Sequence, residues 1–411
     1  MCDTDPEKSS FIDIRERNGF YIDKSLPIMD IIDRDDSGVY LFTRPSGFGK
    51  TMNITMLDAF LNIRYRGNTW FDGLGISDHP DCECYKNVFP VVYLDLGTLR
   101  CTSVDDFMYD IASAIIDAID PLMESLDPEE LTVFERSMLE RLYARKSSRG
   151  ELKCFISTLC PILERHYKAK VVILIDDYDH IIRESIGTGV GDDISNFMSG
   201  FLSSTLKSNF SLQMAYVTGE IQMILSGLFS GLNNMTPNNI QSSWSDDRFG
   251  FTEDEVWAVL DRNGRTDGFD DVWKRYGGYR FGDAEVCDPA GVMSYISEGT
   301  EVGGRRGRLE LGPILRRSVS DACVAEDTSC LLNGQTIVRY IHDQITYEDL
   351  ISSDECALYS LMAMTGYLRI IPDEGSSFRI SVPNSGVMEV LRCTLDGNNQ
   401  AQFRVSMSDN V

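Results

Sequence analysis

Val39-Tyr40-Leu41-Phe42-Thr43-Arg44-Pro45-Ser46-Gly47-Phe48-Gly49-Lys50-Thr51, followed by an apolar-periodic run from Met52 to Ile63, decides how this chain folds. A buried strand meets a glycine-bearing loop, and a helix follows. That is the order in which a phosphate-binding loop is built: backbone N–H groups and the helix N-terminus face the phosphates, a Lys reaches the outer ones, and a Ser/Thr hydroxyl takes Mg²⁺. Lys50 and Thr51 fit those two roles. The match to G-x-x-x-x-G-K-[ST] is incomplete, because Arg44 holds the first glycine position and Pro45 pushes it toward extended geometry. Gly47 and Gly49 must carry the loop. Met52, Met56, Leu57, Phe60 and Leu61 recur at helical spacing directly after it, which makes the placement stronger than the triplet alone.

Outward from the loop, a partner carboxylate is needed. Lys170-Val171-Val172-Ile173-Leu174-Ile175-Asp176-Asp177-Tyr178-Asp179 supplies one, about 125 residues downstream. An aliphatic strand ending in paired acids suits a Mg²⁺-dependent phosphoryl-transfer site: one carboxylate holds the metal and the next polarises water, at the C-terminal edge of a parallel strand. The second acid is Asp177, shorter by one methylene than the usual Glu. Alone, Asp-Asp also reads as a capped strand end; paired with Lys50-Thr51 it reads as nucleotide binding. Leu212 to Gly219 is a further strand, and Thr218 at its end either senses the γ-phosphate or satisfies the strand end.

The rest of the chain supplies scaffold. Phe89 to Leu96 is a nearly continuous apolar strand, as in a parallel sheet. Phe20-Tyr21-Ile22-Asp23-Lys24 alternates like a short strand, with Ser25 as an N-cap before Ile28, Ile31 and Ile32. Helices are expected from Ser103, from Asp127-Pro128, and from Glu151 to Tyr167 with a kink at Pro161. Residues 226 to 245 read as a loop, and Thr252 with Glu255 as a capping box. Tyr276 to Gly282 reads as an aromatic, glycine-rich turn aiming Arg280 at the phosphates. Gly303 to Arg308 is a basic cluster read as a solvated loop. Near the end, a helix from Glu355 to Met364, a hairpin through Tyr367–Ile371 and Phe378–Val382, and an apolar helix after Asn384 outline a winged-helix-like module.

Composition sets the outer bounds. The 411 residues, 43% hydrophobic, suffice for two or three domains with real cores. A net charge of −26 repels nucleic acid and anionic membranes, and favours protein contacts at the C-terminal module. The acidic N-terminus lacks a secretory pattern, no apolar run approaches a membrane span, and 11 cysteines, an odd number, fit reduced thiols in a cytoplasm. His79, Cys82 and Cys84 lie close together, but no second Cys/His pair has matching spacing.

The chain resembles the predicted AAA-ATPase-like family of bacterial and archaeal proteins, ASCE P-loop ATPases often joined to a restriction-like nuclease domain. Tyr21-Ile22-Asp23-Lys24, Arg44-Pro45 before Phe48-Gly49-Lys50-Thr51, Ile175 to Asp179, Ser230 to Asn234, Gly250-Phe251-Thr252, Gly278 to Phe281, Thr365 to Leu368 and Pro383-Asn384 carry the likeness. The family's loop is similar in starting with Arg-Pro. Ser46-Gly47 and Asp177 depart from its two arginines and Glu, and nothing here matches its nuclease domain.

The resemblance implies an α/β P-loop NTPase with a 5-1-4-3-2 parallel sheet: an ATPase core over 1–250, a helical lid over 251–335, a winged-helix-like module over 336–396 and a tail over 397–411. ATP and Mg²⁺ are the expected ligands, with the nucleotide held by Arg44, Pro45, Ser46, Gly47, Phe48, Gly49, Lys50, Thr51 and Arg280. Thr51 and Asp176 are the expected metal ligands; Lys50, Asp177 and Thr218 carry the chemistry. The alternatives are a nucleotide-gated interaction protein with vestigial hydrolysis, and a DNA-associated ATPase. No Asn-Lys-x-Asp guanine motif is present, although GTP stays open.

Overall fold

Among the described residues, five parallel strands form the sheet that positions the candidate site: β1 (Val39–Thr43), β2 (Val91–Asp95), β3 (Val171–Asp176), β4 (Leu212–Gly219) and β5 (Met235–Asn238). The computed structural model describes residues 10–32, 38–207, 209–224, 235–298, 322–351, 354–372 and 377–395. Ser230–Asn234, the basic cluster Gly303–Arg308, residues 373–375 of the last turn, the N-terminal Met1–Glu7 and the tail 397–411 lie outside them. The chain divides into two units, one of residues 8–43 and 50–238, the other of residues 44–49 and 239–411 with 1–7.

In the sheet unit the strand order is β2-β3-β4-β1-β5, all pairs parallel, which is the expected 5-1-4-3-2 order. β1 and β3 are buried along their whole length, so they read as continuous apolar runs instead of alternating ones. Their registers, Thr43 opposite Gly219 and Asp95 opposite Asp176, bring the carboxyl ends of four strands to one edge. β5 falls inside the segment expected to be a loop. Its sequence, Met-Thr-Pro-Asn, has little strand propensity, and Pro237 is tolerated because β5 is the last strand of the sheet.

Helices cover this sheet. Lys50–Leu61 starts directly after the loop and buries Ile54, Met56, Leu57 and Phe60, each worth roughly 1.5–3 kcal/mol. The helix Val104–Met123 is capped by Ser103, and Arg149–Tyr167 by a Ser148/Glu151 box; the latter is one helix with Pro161 inside it. Asp127-Pro128 begins only the 3₁₀ turn Pro128–Glu130, because Leu131 turns extended and Thr132 with Glu135 caps the true helix, Val133–Tyr143. Phe20–Lys24 is not a strand: Asp23 accepts from Ser25 N–H (2.9 Å) and Gly75 N–H (2.6 Å), so side-chain bonds fix the segment. No described helix is long and apolar enough to cross a membrane. No disulfide links the described cysteines.

The second unit, taken by itself, starts with the helices Glu253–Arg262 and Phe269–Tyr276. The first is capped as expected, Thr252 N–H donating to Glu255 Oε2 at 2.8 Å. The expected turn at 276–282 is instead half of a hairpin, β6 (Tyr279–Phe281) with β7 (Ala284–Val286). Further on, the helix Ala322–Leu332 precedes β8 (Ile337–Arg339), and the buried helix Glu355–Met364 precedes β9 (Arg369–Pro372), β10 (Phe378–Ser381) and the helix Ser385–Leu395. The expected hairpin is present, and β8 extends it into an antiparallel sheet of order β9-β10-β8. Asn384 caps the last helix by accepting from Val387 N–H (2.9 Å), while its amide donates to Gly277 O (2.7 Å).

Candidate functional site

Strand β3 is apolar until Asp176, which is 2% exposed. A carboxylate there needs partners, and the adjacent β4 supplies one: the buried Thr218 hydroxyl donates to Asp176 Oδ1. Thr218 thus supplies the hydroxyl that meets the carboxylate at the end of the adjacent strand. Asp177 follows in the left-handed region, φ +50°, with its N–H on Asp176 Oδ1 at 3.1 Å. Asp tolerates that conformation better than most side chains. The turn is stapled across the sheet, since Tyr178 N–H donates to Thr218 O at 3.0 Å.

Lys50 opens its helix at 6% exposure, and Thr51 beside it is exposed. Burial pushes the Asp177 carboxyl up to about 7; the Lys50 ammonium opposes this, while Asp176, Asp179 and Glu220 reinforce it. Lys50 and Asp177, distant in sequence, thus come within electrostatic reach. The hydroxyl of Thr51 and the carboxylate of Asp176 are hard oxygen donors, the kind Mg²⁺ takes. Among the described residues no group of three or more His, Cys, Asp or Glu side chains is placed to hold a metal, so His79, Cys82 and Cys84 do not form a centre.

Sequence reasoning missed two groups. Asp95, at the end of β2, lies opposite Asp176, and Asp95 Oδ1 and Asp177 Oδ2 sit 3.3 and 3.0 Å from where a Gly97 side chain would begin. Burial, with Asp176 adding to it against the Gly97 N–H bond, raises the Asp95 carboxyl above its ordinary range. An acid closing an apolar strand was the available signal, as at Asp176. The second group is Asp179, fully buried, whose carboxylate accepts from Glu220 N–H (3.1 Å) and Ile221 N–H (2.9 Å) and pairs with Arg183 Nε (2.9 Å). Its i,i+4 spacing to Arg183 was legible.

The loop residues pack in the second unit. Gly47 and Gly49 take φ of +79° and +84°, the turns that glycine alone makes cheaply. Arg44 is fully buried, its Cζ 4.8 Å from the Phe249 ring centre and 5.0 Å from that of Phe281. Pro45 is buried and Ser46 half-buried. Phe48 meets Tyr279 and Phe281 edge-on at 4.8 and 4.9 Å. Tyr279 and Phe281 thus share the face of β6 toward the loop. Arg280, between them, donates from Nε to Gly282 O (3.0 Å) and pairs with Asp283 (3.4 Å).

A family model described as "Predicted AAA-ATPase" matches residues 8–229. A curated protein of Azotobacter chroococcum mcd 1, "Uncharacterized protein in vnfD 5'region", is 26% identical over 301 residues, 69% of this chain. The chain spans about half the length of that relative, 50%. A solved structure, "Structure of the Aeropyrum Pernix ORC2 protein (ADPNP-ADP complexes)", aligns over 91% of this chain and 93% of its own at a TM-score of 0.31 and 9% identity, too distant to bear on function.

Proposed function

Because the chain belongs to the predicted AAA-ATPase family, we propose that it binds ATP with Mg²⁺ at the carboxyl edge of the parallel sheet and hydrolyses it slowly. The observation that carries this reading is the buried Asp176–Thr218 pair at the carboxyl end of β3, on which the helix opened by Lys50 packs. Lys50 neutralises the β/γ-phosphates, and Ser46 to Gly49, which run straight into it, offer backbone N–H groups. Thr51 and Asp176 hold the metal ion, which supplies charge neutralisation when bound. Asp177 orients the attacking water, and Thr218 fixes the Asp176 carboxylate. Arg44 and Arg280 belong to the framework of the loop and hairpin in this reading. Calorimetric titration of Mg-ATP tests it: Lys50→Ala should weaken binding at least ten-fold, and equal affinities would sink the proposal.

A second reading, a nucleotide-gated interaction protein with vestigial hydrolysis, is favoured by Asp177 itself. The side chain is short, it sits at φ +50°, and burial raises its pKa. Turnover decides between them. A large gain in Asp177→Glu over a nearly inactive wild type supports gating, whereas efficient wild-type turnover excludes it.

The division proposed is an ATPase core over 1–250, a lid over 251–335 and a winged-helix-like module over 336–396, placed in the cytoplasm. The net charge of −26 makes a protein, and not nucleic acid, the partner for that module.

A further inference from the structure

We propose that the phosphate loop is positioned by an aromatic cradle centred on Phe281, which touches both the Arg44 guanidinium and the Phe48 ring, so that nucleotide on the loop is felt at the β6–β7 hairpin. This rests on the nucleotide reading above and adds positioning residues that lie about 200 residues or more from the loop in sequence.

The cradle has three walls. Phe249 and Phe281 face the buried Arg44, with ring centres 4.8 and 5.0 Å from Cζ. Phe281 and Tyr279 hold the Phe48 ring edge-on at 4.9 and 4.8 Å. Gly250 closes the third side: its N–H donates to Phe48 O at 3.4 Å, and at φ +83° a side chain there would begin 3.1 Å from Phe48 Cδ1 and 2.9 Å from Val286 Cβ. Pro45 is approached just as closely, since a side chain on Gly366 would begin 2.9 Å from its ring. A cation desolvated between aromatic faces is held by the ring quadrupoles, and edge-on rings fix mutual orientation. Closely packed contacts of this sort shift as a unit, so ordering the loop restrains the hairpin too.

Hydrogen exchange of the full chain with and without Mg-ATP tests this directly. The expected result is slower exchange in peptides covering 44–51 together with those covering 246–251 and 279–286. Protection of 44–51 alone overturns the cradle while leaving nucleotide binding intact; protection of none overturns the nucleotide reading first. As a second arm, Phe281→Leu and Arg44→Lys should each weaken Mg-ATP binding about ten-fold, with Phe281→Tyr recovering most of it. Arg44→Lys keeps the charge but loses the planar stack. If Phe281→Leu does not fold, unchanged affinity in Arg44→Lys overturns the proposal and reduced affinity supports it.

Discussion

Replacing Asp179 with alanine strands three buried groups at once. The carboxylate accepts from the N–H groups of Glu220 and Ile221 and pairs with Arg183, whose side chain is 7% exposed. Burial alone would depress the Arg183 pKa, yet Asp179 and then Glu220 raise it, so Arg183 is a buried cation stabilised by its neighbours. Without Asp179 it retains Glu220 at 3.4 Å. Breaking a buried pair from one side costs about 3–5 kcal/mol, and each orphaned buried N–H about 1–3 more where nothing relaxes. Because these overlap, a loss of about 4–5 kcal/mol is expected, a large share of the roughly 5–15 that holds a typical protein folded. At a urea slope on the order of 2.5 kcal/mol per molar, the midpoint followed by circular dichroism should fall by about 1.5–2 M. The decisive control is the double variant Asp179→Ala with Arg183→Met. Removing the stranded cation should restore part of the lost stability, so the double should outlast the single. A single variant within about 0.3 M of wild type, or a double weaker than the single, would refute the reasoning.

Two other tests probe the same edge and its support. Gly219→Ala would place a methyl 2.5 Å from Tyr178 Cε1 and 2.6 Å from Asp179 Oδ1. Tyr178 cannot yield easily, because its hydroxyl donates to Ile221 O (2.7 Å) and accepts from Met223 N–H (3.0 Å). A loss of about 1–3 kcal/mol in urea unfolding is expected. Asp58, raised by burial against hydrogen bonds from Asn62 and Tyr65, holds its proton more tightly when folded than when unfolded. Its contribution is therefore fully present in acid and lost as pH rises through the folded pKa. Asp58→Asn removes that titration, so its urea midpoint relative to wild type should rise as the pH is raised from about 4; a flat difference would contradict this.

The sequence was most legible where one physical cause dominated. β1 and β3 read as strands because burial on both faces leaves nearly unbroken apolar runs, and the Thr252–Glu255 box names a helix start by itself. β5 was illegible, because Met235–Asn238 gains its strand geometry from pairing with β1 and not from its own residues. The hairpin β6–β7 was illegible too: Tyr276 to Gly282 reads as an aromatic turn, and only the fold shows that Tyr279 and Phe281 share a face that meets Phe48. For the same reason Arg280, one residue out of phase, is turned to Gly282 O. At the site, Lys50, Asp176 and Asp177 came from motif spacing, whereas Asp95 and Asp179 depend on strand register and a tight turn.

Pro237 lies exposed in the four-residue β5, at the margin of the sheet. Its nitrogen carries no hydrogen, so it gives nothing to a ladder of backbone bonds. A foreign strand sliding alongside would find a short template with a missing donor, so fibril-like growth from this border is discouraged. The feature that hid β5 from propensity also makes this margin of the sheet a poor template for strand pairing.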